Sequence, residues 1–157
     1  MKVGLYIPMN KADWIYLYKR YLTPWKTRFD EGDVPWKNLL PDLSDSLCYV
    51  YVDYYPVTHG HLLFVPVFDD PGTIAYAAKR AVKYGLEMRR DDDWDAFNLG
   101  LNCGAAAGQT VWWPHVHLIP RKEGDMKDPT GGVRHVIPSQ GNYRSPDYHL
   151  PPYRFLT

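Results

Sequence analysis

The sequence predicts an α+β domain: an antiparallel sheet with one main helix packed on it. Three observations predict it. Two runs of β-formers, Leu47–Asp53 and His61–Val67, flank a turn that holds Pro56 and Gly60, which reads as a hairpin with a longer loop. One stretch, 73–90, has apolar residues at helical spacing. A second pair of β runs, Ala96–Asn102 and Val111–Ile119, flanks a small-residue turn from Gly104 to Gly108. The order β-β-α-β-β with short links implies one sheet covered by one helix.

Taken along the chain, Val3–Ile7 reads as a short strand ended by Pro8, and 13–23 as a helix stopped by Pro24. Residues 24–46 hold Pro24, Pro35 and Pro41 and read as extended or irregular. In the main helix Ile74, Ala77, Ala78, Ala81 and Val82 form the apolar face, and Lys79, Arg80 and Lys83 face solvent. Asp70 is the expected N-cap with Pro71 in the first turn, and Arg89 and Arg90 complement the C-terminal dipole. Asp91, Asp92 and Asp93 read as a solvated loop. The tail from Gly124 lacks a period and is expected to wrap the surface or a partner subunit; Tyr143, Tyr148 and Tyr153 could instead border a pocket.

The 157 residues suffice for one domain with a real core, so 1–157 is read as a single domain. Basic and acidic residues balance at 18 each, which argues against nucleic-acid or membrane-surface binding driven by net charge. Aromatics reach 15 %, enough to fill a core and an interface or to supply a stacking surface for bases. Cys48 and Cys103 lack metal-ligand spacing, and no apolar run is long enough to span a membrane. A soluble cytoplasmic protein with reduced thiols is expected.

The stretch 108–121 carries the chemistry. His115 and His117 lie two apart among β-formers, so a continuous strand would put both on one face, together with Val111, Trp113 and Ile119. Such a pair can be two satisfied histidines in a half-buried sheet, a metal site, or a nucleophile beside an anion binder. A metal site built with His59 and His61 would need carboxylates whose spacing is not evident, and a cupin-type metal enzyme would need a glutamate three or four residues beyond His117, which is absent.

The segment Gly108-Gln109-Thr110-Val111, followed by His115-Val116-His117-Leu118-Ile119-Pro120-Arg121, resembles the motif of the histidine triad (HIT) superfamily of nucleotide hydrolases and transferases. That motif is His-φ-His-φ-His-φ-φ with φ apolar, led by Gly-Gln-Ser/Thr-Val. Asp53 to Pro66, with Pro56, Gly60 and His61, is similar to a second family block. Asn102 and the run Gly131 to Pro138 are similar to two more. The resemblance covers about 48–143; residues 1–47 are an N-terminal extension of unassigned role. Trp113 stands where the family has its first histidine.

The resemblance implies a HIT-like fold, a homodimer, no cofactor and a nucleotide as the small-molecule partner. It implies that His115 attacks the α-phosphate of a purine nucleotide conjugate, of phosphoramidate or dinucleoside polyphosphate type, and forms a nucleotidyl-histidine. His117 would hold phosphate oxygens, with Gln109 and Thr110 donating to the same phosphate. Asp53 would accept from ribose hydroxyls, Asn102 would position ribose or phosphate, and the Trp113 indole would stack on a base or leaving group. Read from the residues alone, Asp53 and Asn102 are turn caps, and His61 is a packed structural residue. With Trp113 in place of a titrating group, the alternative is a nucleotide-binding module of weak turnover.

Overall fold

The computed structural model describes Trp36 and residues 38–149. The strand expected at Val3–Ile7 and the helix expected at 13–23 lie outside the described residues. Five strands, β1 (Asn38–Leu39), β2 (Cys48–Val52), β3 (Leu62–Pro66), β4 (Ala96–Leu101) and β5 (Val116–Arg121), form one antiparallel sheet in the order β1-β2-β3-β5-β4. The long helix α1 (Pro71–Arg90) packs on one face, and a single-turn helix α2 (Pro138–Gly141) closes the tail.

The β2–β3 hairpin pairs Cys48 with Pro66 and Val52 with Leu62, as the run of β-formers on either side of Pro56 and Gly60 demands. Strand β1 lies in a stretch expected to be irregular; its two residues pair with Val52 and Tyr51, a match too short for periodicity to reveal.

Helix α1 begins as expected. Asp70 Oδ1 accepts from the N–H groups of Gly72 (2.8 Å) and Thr73 (3.2 Å), and Pro71 occupies the first turn. The face it buries is narrower than expected: Ala77, Ala81 and Gly85 are buried, whereas Val82 is exposed. These three recur every fourth residue and bring the helix backbone close to the sheet. A Cβ on Gly85 would lie 2.9 Å from the Phe97 ring.

Both sheet faces are covered. On the helix side Val50, Leu62, Phe64, Val116 and Leu118 pack with Ala77 and Ala81. On the other side Trp36, Tyr51, Leu63, Val65 and Trp113 form a second cluster. The strand expected over 111–119 starts only at Val116. Pro114 has no N–H to give to either neighbour of the central strand β5, whereas Pro120 is accommodated within β5 beyond the last residue paired with β3. Residues 111–115 therefore leave the ladder, yet Val111 and Trp113 still pack on the second face.

In the tail, the turn Gly132–Val136 lies against β4, and Arg134 donates to Gly141 O and Gln140 O. Tyr143 packs beneath the Arg134 and Arg144 guanidinium groups rather than at the histidines. No helix among the described residues is long and apolar enough to cross a membrane.

Candidate active site

Alternation along β5 sends Val116 and Leu118 to the helix side and His117 to the opposite face, where it lies across from Leu63 and Gly100. His115, just before the strand, is buried and packs edge-on against His117 with ring centroids 4.9 Å apart. Trp36 also packs against the His115 ring, with centroids 4.9 Å apart.

Hydrogen-bond partners fix the ring protons. His115 Nδ1 lies 2.8 Å from Trp113 O. A carbonyl only accepts, so Nδ1 carries the proton and Nε2 keeps its lone pair. His61, 2 % exposed, takes the Val57 N–H on Nδ1 at 3.2 Å. Its proton is then on Nε2, which donates to His117 Nδ1 at 3.0 Å. His117 is left with its own proton on Nε2, a donor beside the lone pair of His115.

Burial is the main cause that pushes all three imidazoles below their ordinary pKa. His117 falls furthest, to about 4, because His115 and His61 add like-charge repulsion to desolvation; Asp53 opposes the trend at all three. The rings are therefore neutral near pH 7, as a nucleophile and a neutral donor require.

A cavity of about 490 Å³ opens over these rings, lined by Trp36, Asp53, Tyr54, Tyr55, Leu63, Thr110, Val111, His115 and His117. Of the expected site residues it gathers His115, His117, Asp53 and Thr110. Gln109 is not among the lining residues. Its amide bridges the turn instead, accepting from Gly104 N–H and donating to Val111 O. Gly104 and Gly108 hold that turn at φ +89° and +81°. Asn102 follows β4 and does not line the cavity. Trp113 is 3 % exposed, and its indole N–H donates to Pro66 O at 2.9 Å, so the ring closes the core rather than facing a ligand.

Sequence reasoning missed the aromatic walls and half of the role of His61. Tyr54 and Tyr55 are exposed beside Asp53 with rings 4.9 Å apart, and their place next to the Asp53 block was the available signal. Trp36 carried none, because it precedes every recognisable motif. His61 is packed, as expected, and also sets the tautomer of His117.

No family model matches the chain. It is 33% identical over 100 residues to an uncharacterized HIT-like protein of Methanocaldococcus jannaschii, covering 60% of this chain and 75% of that protein. It is 34% identical over 89 residues to the adenylylsulfatase HINT3 of Arabidopsis thaliana, covering 52% of this chain and 45% of that enzyme. The chain thus spans less than half of this second relative. A Zn-bound histidine triad family protein of Mycobacterium smegmatis has a similar structure, with a TM-score of 0.54, 27% identity, and coverage of 68% of this chain and 81% of that one. The sheet with one helix on it is the HIT fold, and the chain belongs to the histidine triad family.

Proposed function

We propose that this protein is a nucleotide hydrolase or nucleotidyltransferase that works at the α-phosphate of a purine nucleotide conjugate through His115. The observation that carries the reading is the His115–Trp113 hydrogen bond: a neutral imidazole with Nδ1 held by a carbonyl has its Nε2 lone pair ready to attack. In the first step Nε2 forms a bond to phosphorus, and the leaving group departs with the electron pair of the broken bond. The imidazolium formed strengthens the Nδ1–H bond to Trp113 O. Water or another acceptor then attacks phosphorus, loses its proton, and returns the electron pair to Nε2. The His117 Nε2–H faces the charge that grows on the phosphate oxygens.

We take Trp113 to stand at the place of the family's first histidine. With no titrating group there, the reaction relies on leaving groups that depart without a proton. The relative named as an adenylylsulfatase supports that class. A turnover and thermal-shift screen tests it. Adenylyl sulfate and dinucleoside polyphosphates should turn over faster than adenosine phosphoramidate. Melting-point shifts with no turnover on any of them would favour the second reading, a nucleotide-binding module, to which the buried, non-titrating Trp113 lends its support.

Asp53 is proposed to accept from the ribose. Asp53→Ala should raise KM for ribonucleotides about tenfold, on the order of 1.4 kcal/mol. Equal loss for ribose-modified substrates would make Asp53 structural only.

The active form is proposed to be a homodimer. Among the described residues β4 is a sheet edge, and Leu101 on it and Val136 in the turn against it are exposed. Sedimentation equilibrium at micromolar concentration should give twice the chain mass; a monomer mass would reject the dimer.

A further inference from the structure

Gly100 stands directly across from His117 on the edge strand β4, and paired residues of an antiparallel ladder project to the same face. Its backbone does not require glycine, because its φ lies outside the left-handed region. Packing does not require it either: a Cβ on Gly100 would meet no atom within 4 Å among the described residues. Glycine weakens a strand interior, and it marks places where a ligand or another chain comes close. Here the bare, exposed strip adjoins a histidine of the site.

Two neighbours flank His117. Leu63 on β3 lines the cavity over the rings, and Gly100 lies on the β4 side. Among the described residues no part of β4 lines that cavity. On the nucleotidyl-transfer reading, on which this inference rests, Asp53 holds the nucleoside on the β3 side. In-line displacement sends the leaving group away from His115. Strand β5 runs from just beyond His115 past His117 to Ile119 and Arg121, and Gly100, Asn98 and Ala96 lie across from the last three. A path over Gly100 therefore leads away from the nucleophile, and the missing side chain keeps it open.

The path ends at a second cavity, of about 650 Å³, whose lining includes Asn98, Arg121, Met126, Pro129 and Gly132. Asn98 shares the face of Gly100 and lies two residues, or about 7 Å, further along the strand. Charge around this cavity cancels. Arg121, Lys122 and Lys127 are balanced by Asp95, Glu123 and Asp125, and both Asp125 oxygens are held by Arg121 at 2.7 and 2.6 Å. Such a lining does not select a bare phosphate or sulfate. Met126 and Pro129 offer apolar surface, and Asn98 gives its Oδ1 to Arg121, which leaves Nδ2 to donate. Apolar walls with a few placed polar groups suit a nucleoside.

We propose that the strip over Gly100 and the cavity at Asn98 and Met126 bind the leaving half of a dinucleoside polyphosphate, with the outer nucleoside in the cavity. Gly100 thereby sets the size of leaving group that the site accepts.

The test reads binding in the full-length His115→Ala chain, which has no nucleophile to consume the ligand. Diadenosine tetraphosphate, adenosine tetraphosphate and AMP are titrated calorimetrically. Diadenosine tetraphosphate should bind roughly tenfold or more tightly than adenosine tetraphosphate, which differs from it by the outer nucleoside. Adding Gly100→Val, a change to a good strand former, should erase that advantage and keep the AMP affinity. With His115 intact, Gly100→Val should lower kcat/KM on diadenosine tetraphosphate and spare adenylyl sulfate. Failure of the His115 mechanism would remove turnover alone and leave the binding comparison readable. Equal affinity for the two tetraphosphates, or an advantage that survives Gly100→Val, overturns the proposal. An altered mass of the Gly100→Val chain in sedimentation equilibrium also overturns it, because Gly100 would then be a packing position against a second copy.

Discussion

Replacing His115 with alanine is expected to abolish both turnover and the covalent adduct. A nucleotide labelled at its α-phosphate should leave an acid-labile, base-stable label on the wild-type chain, as a phosphorus–nitrogen bond requires, and none on His115→Ala. His117→Ala should behave differently. It removes a donor and not the nucleophile, so turnover should fall by roughly 10²–10³, the usual cost of one lost oxyanion donor, with the adduct still formed. The structure sharpens this contrast. The His115 Nδ1 proton is fixed by the Trp113 main chain, so neither substitution disturbs the tautomer of the other ring through that bond. His61→Asn should resemble His117→Ala, because it removes the N–H that sets His117 as an Nε2 donor. Label on another residue, or turnover surviving in His115→Ala, would reject the mechanism.

The elements that set the fold were legible because each rested on a local rule. The Asp70 cap, the Pro71 start and the hairpin around Pro56 and Gly60 follow from one or two residues and their neighbours. His115, His117, Asp53 and Thr110 were singled out because they sit inside motifs, and all four line one cavity. What failed depended on packing across the sheet. Pro114 delayed the start of β5 to Val116, although the run 111–119 reads as continuous β-formers. Gln109 looked like a phosphate donor because of its place in the motif, but its amide is used by Gly104 and Val111. Trp36 and the contact between His61 and His117 join residues far apart in the chain, and no periodicity reports such meetings.

Trp113 carries the second large effect, and it is a stability effect. Its ring fills the cluster made with Trp36, Tyr51, Leu63 and Val65, so Trp113→Ala should cost about 3–5 kcal/mol. For a chain of this size that lowers Tm by roughly 6–20 °C, measured by calorimetry. Trp113→Phe keeps most of the ring but strands Pro66 O, at about 1–3 kcal/mol. In Trp113→Phe kcat should stay within a few-fold of wild type, because the group that serves His115 is the main-chain carbonyl of residue 113, which no side-chain change removes. Trp113→His is the decisive variant. Were Trp113 merely a displaced proton relay, histidine would raise kcat on poor leaving groups more than on good ones. The indole instead points away from the cavity to Pro66, so an imidazole there would sit in the core, unable to reach a leaving group. The expected result is therefore a lower Tm and an unchanged ratio of rates between poor and good leaving groups. A raised ratio would mean that the segment 111–114 can turn its side chain into the cavity, and that proton supply, not packing, is what residue 113 governs.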